Sequence, residues 1–228
     1  SVNLEYFDEW KDDPNFIGDL ITMLDNVLEH FIENAVDTHK LGSYSVGYER
    51  FKNYGKEDKE GLIKAAYSAY RERAVGLGSM GFCSYLQRRG ICFESMYATS
   101  FNHRAFSHIK ERASAASNSL AEERGEAPDM VGSGRRNSHL LAIAPNASSS
   151  IICGGTSPSI EPFRANTYTH KTLTGSYKVK NKYLEALLKK KGLNNEETWK
   201  DIAAHEGSVQ HLDELSEEEK EIFKTAPE

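Results

Sequence analysis

Cysteine and proline are scarce in this sequence, with three and six among 228 residues. Cys83, Cys92 and Cys153 are too few and too scattered for a disulfide framework or a zinc site. Each reads instead as a small buried hydrophobe in a reducing compartment. No apolar run approaches the roughly 20 residues that a membrane helix needs, so no membrane partner is expected. The opening, SVNLEYFDEW, is acidic and lacks the basic and apolar regions of a secretory leader, which points to the cytoplasm. A basic stripe is missing too. The net charge is −6, and residues 194–228 carry 11 acidic and three basic side chains, a local charge of −8. Such a balance excludes general nucleic-acid binding but leaves room for one small phosphate ester. No H-E-x-x-H occurs, no E-x-x-H pair repeats on facing helices, and His103 and His108 are five apart, so no metal is expected.

What is present describes an ordinary globular chain, 39% hydrophobic and 27% charged. Asp13 can cap a helix and Pro14 suits its first turn. Phe16, Ile17, Leu20, Ile21, Leu24, Val27, Leu28, Phe31 and Ile32 then form one helical stripe. Residues 39–58 read as a loop, followed by a helix over 59–74. A longer helix spans about 95–125, with Phe106, Ile109, Ala113, Ala116 and Leu120 on one face and Gly125 ending it. DMVGSGRRNS is a polar loop. Residues 168–179 alternate as a hairpin turning about Gly175-Ser176. Three helices close the chain, ending at Gly192, ending at Gly207, and starting at Ser216, where S-E-E-E is a capping box. Long helices with few short strands give an α/β class whose sheet is completed elsewhere.

The best candidate site is LLAIAPNASSSIICGGTSPSIEP, residues 140–162. Leu140 to Ala144 suits a short buried strand, which Pro145 stops because it has no N–H. Asn146 and Ser148 to Ser150 can cap a following helix whose apolar face includes Ile151 and Ile152. The first amides of a helix have no internal partner and carry partial positive charge. Small side chains let a phosphate reach them, which makes strand, small polar turn and helix an anion site. A self-capped helix start without a ligand fits the same residues. No lysine follows, so this is not a Walker motif.

Gly76-Leu77-Gly78-Ser79-Met80-Gly81 matches G-x-G-x-x-G, but no full strand precedes it and no acidic residue stands about 20 positions on. Close backbone packing explains these glycines better than a dinucleotide. Glu161 is either a general base near the phosphate or a carboxylate held in the loop. Lys178, Lys180, Lys182 and Lys189 to Lys191 read as a solvated face.

The blocks RERAVGLGSMGFCSYLQRRG, SNSLAEERGEAPD, RNSHLLAIAPNASSSIICGGTSPSIEPFRANTYTHKTLTGSYKV and EGSVQHLDELSEEEKEIFKTA closely resemble the late catalytic-barrel region of the class I ribonucleotide reductase large subunit. SVNLEYFDEW resembles the segment just after that family's second active-site cysteine. The likeness runs in order over nearly the whole chain. It implies that residues 1–228 are part of a ten-stranded α/β barrel that reduces ribonucleoside diphosphates to deoxyribonucleotides for DNA synthesis. In that family a cysteine thiyl radical, generated by a metal-containing small subunit, removes the 3′ hydrogen. A cysteine pair then reduces the ribose, with external dithiol as reductant. The substrate-binding turn falls on Pro145, Asn146, Ala147, Ser148 and Ser149, with Asn146 where the family often has Thr or Ser. Neither the Asn-x-Cys-x-Glu radical motif nor the reducing cysteine pair occurs here, and the nucleotide-sensing region is absent. No catalytic residue and no bound cofactor are therefore expected in this chain. Pro227 replaces a usual Phe, which suggests a split or truncated subunit, inactive alone. The expected partners are the rest of the large subunit, a second large-subunit copy and the small subunit. The alternative is a stand-alone, non-catalytic phosphate-binding or interaction module.

Overall fold

The computed structural model describes residues 1–35, 56–173 and 175–228. In chain order the elements are β1 (Val2–Asn3), α1 (Phe7–Trp10), α2 (Phe16–Ala35), α3 (Lys56–Glu72), β2 (Ser79–Met80), α4 (Phe82–Arg88) and α5 (Met96–Arg124). There follow α6 (Ser149–Ile152), β3 (Thr167–Thr172), β4 (Gly175–Lys180), α7 (Lys182–Lys190), α8 (Glu196–Ala204) and α9 (Glu217–Ile222). Among the described residues no helix is long and apolar enough to cross a membrane. The expected loop over 39–58 lies mostly outside the described residues, and α3 begins at Lys56, inside its predicted end. The chain forms two compact units, one of Ser1–Glu9, Gly78–Ala105 and Ile143–Glu228, the other of Trp10–Leu77 and Phe106–Ala142.

The second unit rests on α2. Ile17, Ile21 and Ile32 of the predicted stripe are buried, while Val27 and Phe31 face solvent. The Asp13 carboxylate, three residues before the helix starts, accepts the Asn15 amide at 2.9 Å. Ile32 and Ala66 form a small core with Leu28, Leu62, Ala69 and Tyr70 around them, joining α2 to α3. Asp25, on the same face of α2, is fully buried. Arg73 Nε donates to its Oδ1 at 3.3 Å, Arg136 Nε and Arg124 Nη1 donate to its Oδ2 at 3.3 and 3.2 Å, and Asn137 Nδ2 donates to Oδ1 at 3.1 Å. The end of the predicted polar loop is therefore core, with Arg136 and Asn137 buried. Arg136 Nη1 donates to the Arg124 and Gly125 carbonyls that α5 leaves orphaned, and Gly125 takes a φ of 86°.

The first unit is aromatic at one end and aliphatic at the other. α4 is buried from Phe82 to Gln87, and Tyr85 stacks on Phe101 with ring centroids 3.6 Å apart. β1 pairs with β2 in parallel, Val2 opposite Ser79. β3 and β4 pair antiparallel from Thr167↔Lys180 to Thr172↔Gly175, so Gly175 opens the second strand and the turn sits earlier than Gly175-Ser176. Leu184, Leu188, Trp199, Ile202, Val209, Leu212, Leu215 and Phe223 form the aliphatic core of the closing helices. The capping box at α9 is present in full, with Ser216 and Glu219 exchanging side-chain bonds to each other's amides. The described residues hold two two-stranded sheets and one isolated bridge, a helix-rich α/β pattern without a closed barrel.

Candidate functional site

Residues 140–144 approach a strand without becoming a buried one. Leu77 donates to the Leu140 carbonyl at 2.8 Å, Ala142 donates back to Leu77, and Leu141 bridges Leu77 in parallel. Ile143 is 75% exposed and Leu141 is half-exposed. The expectation of a buried strand is corrected here, because among the described residues only the Leu77 side supplies a neighbour. Gly76 lies against this segment so closely that a Cβ would meet the Ala142 Cβ at 2.9 Å. Gly81, at φ 79°, leaves no room for a Cβ beside the Asn3 and Thr156 side chains. Both bear out the packing explanation of the glycine run.

At Asn146 the chain turns left-handed, φ 52°, a conformation that Asn tolerates better than most side chains. Its side chain is spent on contacts within the protein, Ser1 Oγ among them. Nδ2 donates to the Ser79 carbonyl at 2.9 Å and to the Ala144 carbonyl at 3.1 Å, and Oδ1 accepts from Ser149 Oγ at 3.2 Å. The amides of Ala147, Ser148 and Ser149 find no acceptor among the described residues, whereas Ser150 N donates to the Asn146 carbonyl. α6 is a single turn, and Ile152 is 84% exposed, so the predicted apolar helix face is corrected to one short turn. Free amides, with little macrodipole behind them, are what the turn offers an anion.

The remaining small residues serve as a clamp. Ser84 N donates to Ser157 Oγ at 3.1 Å, Ser157 N donates to Ser84 Oγ at 2.8 Å, and Gly81 N donates to the Ser157 carbonyl. This locks the loop after α6 onto the start of α4. Beside the turn opens a cleft of about 1000 Å³, whose walls include Pro145, Ala147, Ser150, Thr156, Arg164 and Lys180. Of the five predicted turn residues, Pro145 and Ala147 line it. Asn146 is turned into the protein and Ser148 lies at the exposed bend. Glu161 also lines the cleft and is exposed. The cations Arg164 and Lys180 were not selected from sequence as wall residues, because nothing in spacing brings position 164 or 180 to a turn at 145. Burial raises the pKa of Tyr168 on the same wall.

Other predicted features are redistributed. Lys182 is not a solvated lysine: its Nζ donates to the buried Glu5 carboxylate at 2.7 Å and to the Gly154 carbonyl at 3.2 Å. Of the cysteines only Cys83 is buried, Cys92 is half-buried, and Cys153 is exposed, which corrects the reading of all three as buried. Burial pushes the Cys83 thiol up to about 12, so it is protonated at neutral pH. Asp201, His205 and His211 come together near the end of α8, a grouping that sequence spacing alone does not bring out.

Residues 1–133 and 127–228 match the family described as ribonucleotide reductase, barrel domain. The chain is 45% identical over 231 residues to the ribonucleoside-diphosphate reductase large subunit of Invertebrate iridescent virus 3, covering 100% of this chain and 33% of that one. To the corresponding large subunit of Invertebrate iridescent virus 6 it is 42% identical, covering 99% of this chain and 22% of the other. Among solved structures, the Actinobacillus ureae class Id ribonucleotide reductase alpha subunit matches with a TM-score of 0.78 and 40% identity, over 98% of this chain and 37% of that chain. The chain thus spans between about a fifth and somewhat over a third of the length of these relatives.

Proposed function

This chain belongs to the ribonucleotide reductase barrel-domain family, and we propose that it is a late part of the catalytic barrel of a ribonucleoside-diphosphate reductase large subunit. In this reading the complete protein acts in the cytoplasm and converts ribonucleoside diphosphates to deoxyribonucleoside diphosphates. Residues 1–228 contribute the seat of the substrate's diphosphate at Pro145, Asn146, Ala147, Ser148 and Ser149. The reaction's redox groups lie outside them, in the rest of the large subunit, in a metal-bearing small subunit that supplies the radical, and in an external dithiol. A second large-subunit copy completes the assembly.

The observation that carries the reading is the division of labour within the turn. Asn146 holds the bend through its own side chain, and the next three amides are left without acceptors. Small side chains at 147–149 keep those amides open to phosphate oxygens, and the hydroxyl of Ser148 adds a donor. Arg164 and Lys180, on the walls of the adjoining cleft, supply positive charge for the same anion.

The test is a Ser148→Leu/Ser149→Leu variant of the full-length chain. Cytidine diphosphate affinity, measured by equilibrium dialysis, is expected to fall by at least about 1–3 kcal/mol, the loss from blocked or missing hydrogen bonds. A variant that stays folded by circular dichroism and binds as tightly as the parent would place the diphosphate elsewhere.

A further inference from the structure

Every proton on the Lys182 ammonium has an acceptor. Its Nζ lies 2.7 and 3.0 Å from the two carboxylate oxygens of Glu5 and 3.2 Å from the Gly154 carbonyl. Glu5 is buried, just after β1. Gly154 belongs to the exit of α6, where Gly154 and Gly155 are both left-handed, with φ 87° and 64°. The base of the lysine is fixed too. Lys182 opens α7 directly after the N-cap Asn181, whose Oδ1 accepts the Tyr183 and Leu184 amides. Asn181 Nδ2 in turn donates to Gln87 Oε1 at 2.8 Å and to Asn166 Oδ1 at 2.9 Å. One ammonium therefore ties the start of α7 to the exit of α6, 28 residues away, and to Glu5, 177 residues away.

The turn at 145–149 is held on both sides. At its entry Asn146 donates to the Ser79 carbonyl and to Ser1 Oγ. Beyond its exit the Gly154 carbonyl is held by Lys182. Residues 1–5 supply an anchor at each end, Ser1 at the first and Glu5, through Lys182, at the second. The free amides of Ala147, Ser148 and Ser149 lie between these ties. Amides grip a phosphate only while they converge on it, and a displacement of about 1 Å from a remote change is enough to lose that convergence.

We propose that Lys182, locked by Glu5, is a positioning residue for the diphosphate turn, holding the exit of α6 so that the amides of 147–149 stay aimed at the phosphate oxygens. The inference rests on the reading of that turn as the diphosphate seat. Lys182 does not touch the substrate in this arrangement. Its three donors are already used, and the lysine on the cleft wall is Lys180. The two partners have to be neutralised together, because removing Lys182 alone would leave the Glu5 carboxylate buried without this cation.

The test uses the full-length large subunit together with its small subunit. In Glu5→Gln/Lys182→Met the ion pair is removed without leaving a buried charge, and the Gly154 carbonyl loses its partner. The Kd for cytidine diphosphate by equilibrium dialysis and the KM in turnover should both rise about tenfold, while kcat at saturating substrate stays within about twofold of the parent. Glu5→Gln alone is isosteric, loosens the hold on Nζ, and should raise both about threefold. A pair that serves stability alone would lower the melting temperature and leave Kd and KM where they are; that result in the two variants would overturn the proposal. The Ser148→Leu/Ser149→Leu variant separates the two readings. If it loses affinity and the Glu5 and Lys182 variants do not, the seat stands and the positioning role is refuted. If none of them loses affinity, the seat is refuted and the positioning role with it.

Discussion

At the middle of α2, where the helix meets its neighbours, the buried group is a carboxylate. In the last turn of α8 it is the side chain of Ile202. Both positions are fully enclosed, and both belong to amphipathic helices packed by later segments of the chain. Around Asp25 stand Arg73, Arg124, Arg136 and Asn137, each in hydrogen-bond contact with it. Around Ile202 stand Leu184, Leu188, Trp199, Val209, Leu212, Leu215 and Phe223. A buried ion pair must recover the solvation both partners lose, so it stabilises only while every partner remains. An apolar cluster gains in proportion to area, and losing one member costs only that member's share and the cavity it leaves. The first design is brittle and directional, the second tolerant.

The contrast is broken most severely by Asp25→Ala, which removes the buried carboxylate from between Arg73 and Arg136 and leaves them only the partly exposed Glu29 as an acidic partner. A loss of about 3–5 kcal/mol is expected, read by denaturation of the full-length chain and by hydrogen exchange in residues 10–77 and 106–142. Its pH dependence sharpens the point. Burial alone would raise the Asp25 pKa, but the charges of Arg73 and Arg136 and the bond from Asn137 bring it below the ordinary value. A depressed carboxylate contributes stability above its unfolded pKa of about 3.9, lost as pH falls through the folded value. Asp25→Asn should remove that acid-sensitive component, while Ile202→Ala should leave it in place.

Ile202→Ala itself is expected to cost about 2–5 kcal/mol, with faster exchange confined to α7, α8 and α9. The smallest effect is that of Ser216→Ala, which deletes one half of the capping box for about 1 kcal/mol and frays α9 without disturbing the cluster beneath it. If the serine change cost as much as the isoleucine change, the closing helices would depend on their ends and not on their core.

The same contrast explains what could be read from the sequence. The closing helices are legible because spacing, capping box and glycine stops all point one way, and the structure keeps them within three residues of their expected ends. α5 was legible for the same reason, stopping at Arg124 before a left-handed Gly125. Asp25 was not, since a charge inside an apolar stripe looks like an interruption until its arginines are known, and these stand 48 and 111 residues away. The run at 140–144 promised a buried strand on composition alone, but burial depends on neighbours, and here Leu77 is the pairing partner. The turn at 145–149 was legible as an amide-rich bend. Its use of Asn146 as an internal brace was not, because that requires the Ser79 carbonyl from a distant strand. Arg164, Lys180 and the Asp201, His205 and His211 group escaped for the same reason: only the folded chain makes them neighbours.

The central claim is that the diphosphate rests on the free amides of this turn. The most direct measurement is a structure of the full-length large subunit with a bound ribonucleoside diphosphate. Phosphate oxygens within about 2.7–3.2 Å of the amides of Ala147, Ser148 and Ser149 are the predicted result. A nucleotide bound with its diphosphate away from those amides, and the turn empty, would contradict the account.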